Sequence, residues 1–356
     1  MTSCFRSGGN SCCKSSIAIL NQASKVTIFP LVSITTSLVA EENTAKRISE
    51  QQQKSDNSEK GTSKNKETDE LVHEEAVLEN LEKGSAENDE TKESASEDGL
   101  FDKQAAIYLD ARPTYPKEWY SMLAERTSNH SLAWDVGTGN GQAAIGVAEH
   151  YEQVIGTDVS EGQLKYAVPH PKVRYIHTPL SMSDDELVTL IGDEGTVDLI
   201  TVAQAVHWFD LPRFYSVVTR LLRKPGGVLA LWGYKDIKVS PTFDTAGLRW
   251  FQTTLPYWNS KVQHVYDDYR TLPFPFKSVG LGSEGNPLLL DIPKEVSFEG
   301  YLGFLRSWSA VVTAKEQGVD LLPEGVVKEL ETAWGGAKLV RTVVYKAFML
   351  AGKVMV

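Results

Sequence analysis

Between Trp134 and Gln142 the chain reads WDVGTGNGQ, which sets Gly137, Gly139 and Gly141 at alternate positions behind Asp135. Glycines at that spacing let a backbone come close to a ligand, and the acid just ahead of them bears on the ligand's charge. A dinucleotide pyrophosphate calls for G-x-G-x-x-G at the start of a helix. Here Gln142 stands where the third of those glycines would be. Asp135 would repel a pyrophosphate and attract an ammonium such as the one on S-adenosylmethionine (SAM). The Gly-Lys-Ser/Thr ending of a P-loop is absent. Asp158 follows 21 residues after Gly137. A carboxylate there can accept both hydroxyls of a ribose, a feature that nicotinamide and SAM sites share. Acid, glycines and distal acid in this order favour SAM over NAD.

Such residues need a frame, and from Gly99 onward apolar runs alternate with amphipathic stretches. That pattern predicts an α/β fold, a mostly parallel Rossmann-like sheet with flanking helices. SLAWDVG is the first expected strand, QVIGTDVS the second, KVRYIHT the third, TVDLITVAQA the fourth and GGVLALWGY the fifth. Helices are expected in GQAAIGVAEHY, GQLKYAV and the crossover LPRFYSVVTRLLR. The strands are almost continuous Val/Ile/Leu/Ala runs, as in a sheet buried on both faces. Ligands in such sheets bind beyond the carboxyl ends of the strands, where the glycine loop, Asp158 and QAVHWFD all fall. After residue 236 the chain turns aromatic and irregular, which predicts a helical cap, with VRTVVYKAFMLAG returning as a final edge strand.

The rest of the composition narrows the class. Formal charge is −11 over 356 residues, made up of +3 in residues 1–40, −10 in residues 41–99 and −4 in residues 100–356. No dense Lys/Arg stripe marks the folded part, so an enzyme tracking nucleic-acid phosphates is disfavoured. All three cysteines (Cys4, Cys12, Cys13) precede residue 14, leaving none for a disulfide or thiolate cluster later in the chain. Residues 41–99 are polar, charged and free of aromatics, the composition of a disordered segment. Residues 1–40 are acid-free and Ser/Thr-rich, which suits a transit peptide as well as it suits a dispensable extension. The domain plan is therefore 1–99 as extension and 100–356 as one domain, with a core at 101–235 and cap and final strand at 236–356. A cytoplasmic location is expected, with a plastid or mitochondrion as the transit-peptide alternative. No membrane or nucleic-acid partner is expected, and the oligomeric state is left open.

WDVGTGNGQ, IGTDVS, VDLITVAQAVHWFD and LLRKPGGVLALWGY together resemble the class I SAM-dependent methyltransferases. The small-molecule branch that includes trans-aconitate methyltransferases is the most similar, and YLDARPTYP (108–116) looks like its segment ahead of the sheet. The resemblance is strong over 101–235. It implies that Asp135, Gly137, Gly139 and Gly141 hold the methionine part of SAM and that Asp158 holds the ribose. It also implies that the backbone near Leu180 faces the adenine, and that Tyr108 and Arg112 hold the methionine carboxylate. Val159, after Asp158, and Gln204, at the end of the fourth expected strand, are counted with these cofactor residues. One departure stands out: many relatives carry an acid after the third strand, where this chain reads HTPLSM.

Methyl transfer asks an enzyme mainly to align an acceptor with an activated carbon and to exclude water. With no cysteine beyond residue 13, methylation at carbon five of a pyrimidine is excluded. The Asn/Asp-Pro-Pro-Tyr signature and an Asp-Asn pair after the fourth strand are also absent. A small-molecule acceptor remains, at oxygen, nitrogen or carbon. A carboxylate is the least demanding, being ionised at neutral pH with a pKa of about 4. A phenol or carbon acid needs a base, for which His207 is the candidate; a histidine merely packed at a strand end is the alternative. Trp208 could wall the methionine pocket or face the sulfonium. Arg306 is the candidate partner of an acidic acceptor, since a guanidinium matches a carboxylate. A SAM-fold protein that binds or regulates without turnover is the competing function, and a nicotinamide oxidoreductase is a weaker third.

Overall fold

A computed structural model describes residues 112–355; the expectations for residues 1–99 and for Tyr108 lie outside them. The described residues open with α1 (Lys117–Ala124) and then alternate strand with helix. The series is β1 (Leu132–Val136), α2 (Gln142–Ala148), β2 (Gln153–Asp158), α3 (Glu161–Lys165) and β3 (Val173–His177). It continues through α4 (Asp184–Ile191), β4 (Leu199–Ala203), α5 (Leu211–Leu221) and β5 (Val228–Lys238). These five strands pair in parallel in the order β3-β2-β1-β4-β5. The order reverses beside β1, which opens a crevice at the carboxyl ends of β1 and β4.

The second half follows the expected outline with one addition. Past α6 (Pro241–Thr254) and α7 (Gln263–Tyr266) come β6 (Lys277–Leu281) and β7 (Leu288–Ser297). Then follow α8 (Phe298–Arg306), α9 (Ser309–Glu316), α10 (Glu324–Trp334) and β8 (Val340–Lys353). β8 joins the sheet antiparallel to β5, but it is not the edge that VRTVVYKAFMLAG was expected to make. β6 and β7 both pair on its other side. The turn Ser283–Asn286, with Gly285 at φ 71°, links those two strands. Pro293 sits within β7, where a missing N–H is tolerable because β7 has β8 as its only strand partner.

Successive residues of β5 point to opposite faces, and so they build two cores. Ala230, Trp232 and Tyr234 pack with Trp119, Tyr120, Phe243, Tyr301, Trp334 and Tyr345. Leu229 and Leu231 pack with Trp134, Ile155, Val218, Tyr269 and Phe348. The cap helices α6, α8 and α10 thus share the first core with the sheet rather than forming a separate lid. No helix of the described residues is long and apolar enough to cross a membrane.

At the amino ends of the strands, the buried Asp198 acts as a clamp. Its Oδ2 accepts the N–H groups of Ser131 and Leu132 at 2.8 and 3.1 Å, and Arg223 Nε donates to Oδ1 at 2.5 Å. This ties the start of β1 to the start of β4. Asp198→Ala strands two backbone donors and a partly exposed guanidinium, so a loss of about 2–4 kcal/mol in urea unfolding is expected. An unchanged midpoint would show that the clamp contributes nothing.

Candidate functional site

The glycine loop rests on Asp135, which is 1% exposed. Thr138 Oγ1 donates to its Oδ2 at 2.6 Å and Thr201 Oγ1 to its Oδ1 at 2.5 Å. Burial pushes the Asp135 carboxyl up to about 6; the two threonine hydroxyls hold it down and Asp158 nearby raises it further. The sequence suggested an acid presented to an ammonium. In the structure both oxygens face inward, because a buried charge must be hydrogen-bonded, and the carboxylate braces the loop from beneath.

Gly137, Gly139 and Gly141 all take positive φ, at 64°, 57° and 86°. They are bare for different reasons. A Cβ on Gly137 would lie 2.6 Å from Ala205 Cβ, and one on Gly141 would lie 2.0 Å from the Tyr175 hydroxyl. A Cβ on Gly139 would meet nothing nearer than Gln163 Oε1 at 3.8 Å. Of the three, Gly139 alone turns its backbone toward open space, and room there fits the methionine end of a cofactor. Beside it, Asn140 Nδ2 is buried with no hydrogen-bond partner among the described residues.

Asp158 ends β2 and binds the loop to it. Gly139 N donates to Asp158 Oδ2 at 2.8 Å, and Ser160 N donates to Oδ1 at 2.9 Å. Both carboxylate oxygens are thereby fixed at the carboxyl end of β2. Next along, the Val159 carbonyl lies 3.0 Å from His177 Nε2, whose Nδ1 lies 3.2 Å from Glu161 Oε1. Leu180 follows β3 and is 67% exposed, an apolar side chain at the edge where an adenine could lie. Glycine loop, Asp158, Val159 and Leu180 therefore form a run along the carboxyl ends of β1, β2 and β3.

Beyond β4 the architecture changes. Gln204 takes φ 58° and leaves the strand, yet its N–H still reaches Trp232 O at 2.9 Å and its Nε2 reaches Tyr234 O at 2.6 Å. Its side-chain amide thus takes the next ladder position in place of a backbone. β5 runs on past it, and the space left open holds a cavity of about 100 Å³. Arg112, Gln204, His207, Trp208, Tyr234 and Lys235 line one part of it. Trp258, Tyr266, Phe304 and Trp308, from the later helices and turns, line the rest. A larger hollow of about 540 Å³, walled by Ser131, Gln153, Lys172 and Arg174, lies at the opposite, amino edge of the sheet, away from the glycine loop. Among the described residues, no His/Cys/Asp/Glu group could hold a metal ion.

Three sequence expectations change here. His207 is buried, with Nδ1 3.2 Å from the Tyr269 hydroxyl. Burial, aided by the positive fields of His264 and Lys261, pushes its imidazole down to about 3. A neutral ring that reluctant to take a proton is a poor general base, so the packed strand-end reading is the one seen. Arg306 does not reach the cavity. It lies on the exposed side of α8, paired with Glu299 at 2.9 Å. Trp208 does line the cavity, but a cation already sits over its ring: Lys261 Nζ is 5.9 Å from the centroid.

Arg112, expected at the methionine carboxylate, lines the cavity. Its Nη1 donates to the Tyr234 hydroxyl at 3.2 Å, its Nη2 to Ser307 O at 2.7 Å, and it lies 5.4 Å from the Phe304 ring centroid. Lys235 and Asp236 were missed, because the fifth strand was read as ending at Tyr234. Asp236 is reached by solvent yet crowded by protein, and that crowding raises its carboxyl despite Lys235 and Lys238 nearby.

Asp135 makes the site's pH dependence calculable in sign. Its folded value, about 6, lies above the ordinary 3.8, so the folded state holds this proton more tightly than the unfolded chain does. Ionisation therefore costs stability at pH 7, and the cost is relieved as pH falls through 6 toward 4. In denaturant titrations, the stability of the wild type minus that of Asp135→Asn should rise between pH 7 and pH 5. A flat difference would mean that Asp135 is not raised.

Residues 134–231, from the buried tryptophan of β1 into β5, match a methyltransferase domain family. The chain is 31% identical over 265 residues to a Dictyostelium discoideum protein that bears a methyltransferase name, spanning 72% of this chain and 95% of that one. A Saccharomyces cerevisiae protein named as SAM-dependent is 31% identical over 140 residues, 37% of this chain and 45% of its own length. A solved structure from Anaeromyxobacter dehalogenans, described as a type II methyltransferase, is 34% identical with a TM-score of 0.59. That match covers 68% of this chain and 97% of the other. The chain belongs to the class I SAM-dependent methyltransferases, enzymes whose cofactor is S-adenosylmethionine.

Proposed function

We propose that this methyltransferase acts on a small molecule at a carboxylate oxygen, as a member of the trans-aconitate-type branch, and that residues 100–356 form its catalytic domain. One observation carries the reading. The cavity beside Gln204 is walled by aromatic rings and two cations, Arg112 and Lys235, and among the described residues His207, which is weakly basic, is the one histidine that lines it. Aromatic walls suit an apolar body, cations suit an anion, and an acceptor that is already ionised needs no base. Bound SAM supplies a methyl on a sulfonium, which passes to an acceptor lone pair as the C–S bond breaks and its electron pair stays on sulfur. The protein's own part is to hold the acceptor in line and keep water out.

In this reading the Gly139 backbone and its neighbours cradle the methionine part, Asp158 receives the ribose hydroxyls, and Val159 and Leu180 flank the adenine. Gln204 separates the cofactor run from the acceptor cavity, and Arg112 directs positive charge at the junction. His207 and Trp208 wall the acceptor rather than exchange protons with it. A second reading takes a phenol or carbon acid as acceptor, with Asp236, whose charge is felt at the cavity-lining Tyr266, as the candidate base.

The product separates the two. The full chain incubated with methyl-labelled SAM and a set of small carboxylic acids and phenols should give label that mild base releases as methanol, the mark of a methyl ester. Base-stable label would overturn the carboxylate reading in favour of the one built on Asp236. For the cofactor, Asp158→Ala should weaken SAM binding at least tenfold by calorimetry, with the circular dichroism of the folded chain retained. Unaltered affinity would remove the ribose assignment.

A further inference from the structure

We propose that Lys235 is the specificity-determining residue of the acceptor cavity, its ammonium receiving the carboxylate of an acidic acceptor; this rests on the carboxylate reading above. The place of Lys235 follows from the unequal lengths of two strands. β4 ends at Ala203, opposite Trp232, whereas β5 continues to Lys238. The overhang has no β4 neighbour, so its residues can line a cavity from both faces of the strand. Tyr234 does so from one side and Lys235 from the other, although they are consecutive. A register shift between Tyr234 and Ile237, opposite β8, adds local bending at this point.

The ammonium is held as well as placed. Lys235 Nζ lies 2.8 Å from Asp268 Oδ1 and donates to Tyr266 O at 3.0 Å. Those two contacts use two of its three N–H donors and fix a side chain that would otherwise be among the most flexible. Asp268 is itself held in a left-handed turn at φ 56° and shares its other oxygen with Arg270 at 3.5 Å. One carboxylate thus faces two cations, and Arg112 adds a third charge on the far wall. The other nearby acid, Asp236, sits in the combined field of Lys235 and Lys238. The local balance favours an anion, while Trp258, Phe304 and Trp308 offer surface for its apolar body. Arg306, the cation expected for this task, is spent on Glu299 at the surface.

Three tryptophans (Trp208, Trp258 and Trp308) line the cavity, so binding can be read by fluorescence without turnover. The full chain saturated with S-adenosylhomocysteine would be titrated with octanoate and benzoate, and with octanamide and benzamide. At least one acid should bind tenfold or more tighter than its amide. Lys235→Met should abolish that preference while leaving amide affinity and S-adenosylhomocysteine affinity intact, and Lys235→Arg should restore most of it. Unchanged S-adenosylhomocysteine binding certifies the fold of each variant; should Lys235→Met lose it, Lys235→Gln takes its place. Retention of acid preference without Lys235, or equal binding of acid and amide in the wild type, would overturn the proposal. The two ideas fail separately. Acid preference with base-stable methyl product would leave Lys235 its role and remove the carboxylate as methyl acceptor. Methyl esters formed equally well by Lys235→Met would do the reverse.

Discussion

A single buried carboxylate organises this end of the sheet. Asp135 lies where water cannot reach it, and an unpaired charge there would be costly. The hydroxyls of Thr138 and Thr201 are therefore obligatory partners. One belongs to the glycine loop and the other to β4, so meeting the electrostatic need also fixes the loop against the neighbouring strand. Thr138 N in turn donates to Thr157 O at 2.9 Å, and Trp134 Nε1 donates to Thr157 Oγ1 at 2.9 Å, which extends the same network into β2. The left-handed glycines, the Gly139–Asp158 contact and the packing of Gly137 on Ala205 all depend on that anchored loop.

On the other side of Gln204 the logic is one of unequal lengths. Where β4 stops, one side-chain amide continues the ladder, and the overhanging end of β5 becomes a wall. The glycine loop, Asp158, Val159 and Leu180 come from one continuous stretch of chain, between β1 and the turn after β3. The cavity draws on Arg112, on the end of β5, and on turns and helices as far along as Trp308. The first region lies within the residues matched by the family, 134–231, as do Gln204, His207 and Trp208 of the cavity, whereas Arg112 and the wall from Tyr234 to Trp308 lie outside them. In the proposed reading, the cofactor side therefore falls inside the matched region and most of the acceptor wall outside it.

The sequence made the parallel core legible because each of those strands is a buried apolar run next to a glycine or proline turn. Asp158 was equally legible, since an acid at the end of the second strand can point in few directions. α4 carried a signal that went unused: Ser183 and Glu186 form a capping box, the Ser-x-x-Glu pattern of a helix start. β6 and β7 were harder, because Pro293 within β7 argues against a strand until the sheet edge is known. Arg306 failed for a different reason. Its type was right for an anion, but helical phase decides which side of α8 meets the cavity, and that depends on packing from distant segments. Lys235 was hidden because a charged residue after an apolar run looks like the end of a strand. The structure shows that strand continuing past its neighbour instead.

The position of β8 has a consequence for how the protein comes to exist in a cell. It is last of the eight described strands in chain order, yet it joins β5 on one side to β6 and β7 on the other. During vectorial synthesis β5 must therefore wait for more than a hundred residues with its apolar edge unpaired, from Leu229 through Tyr234. Strand edges of that kind recruit unintended neighbours, and chains are made at only about 5–20 residues per second. For several seconds the nascent chain carries a sticky seam that its own terminal strand will later close, an interval in which a chaperone would have its clearest opportunity to act.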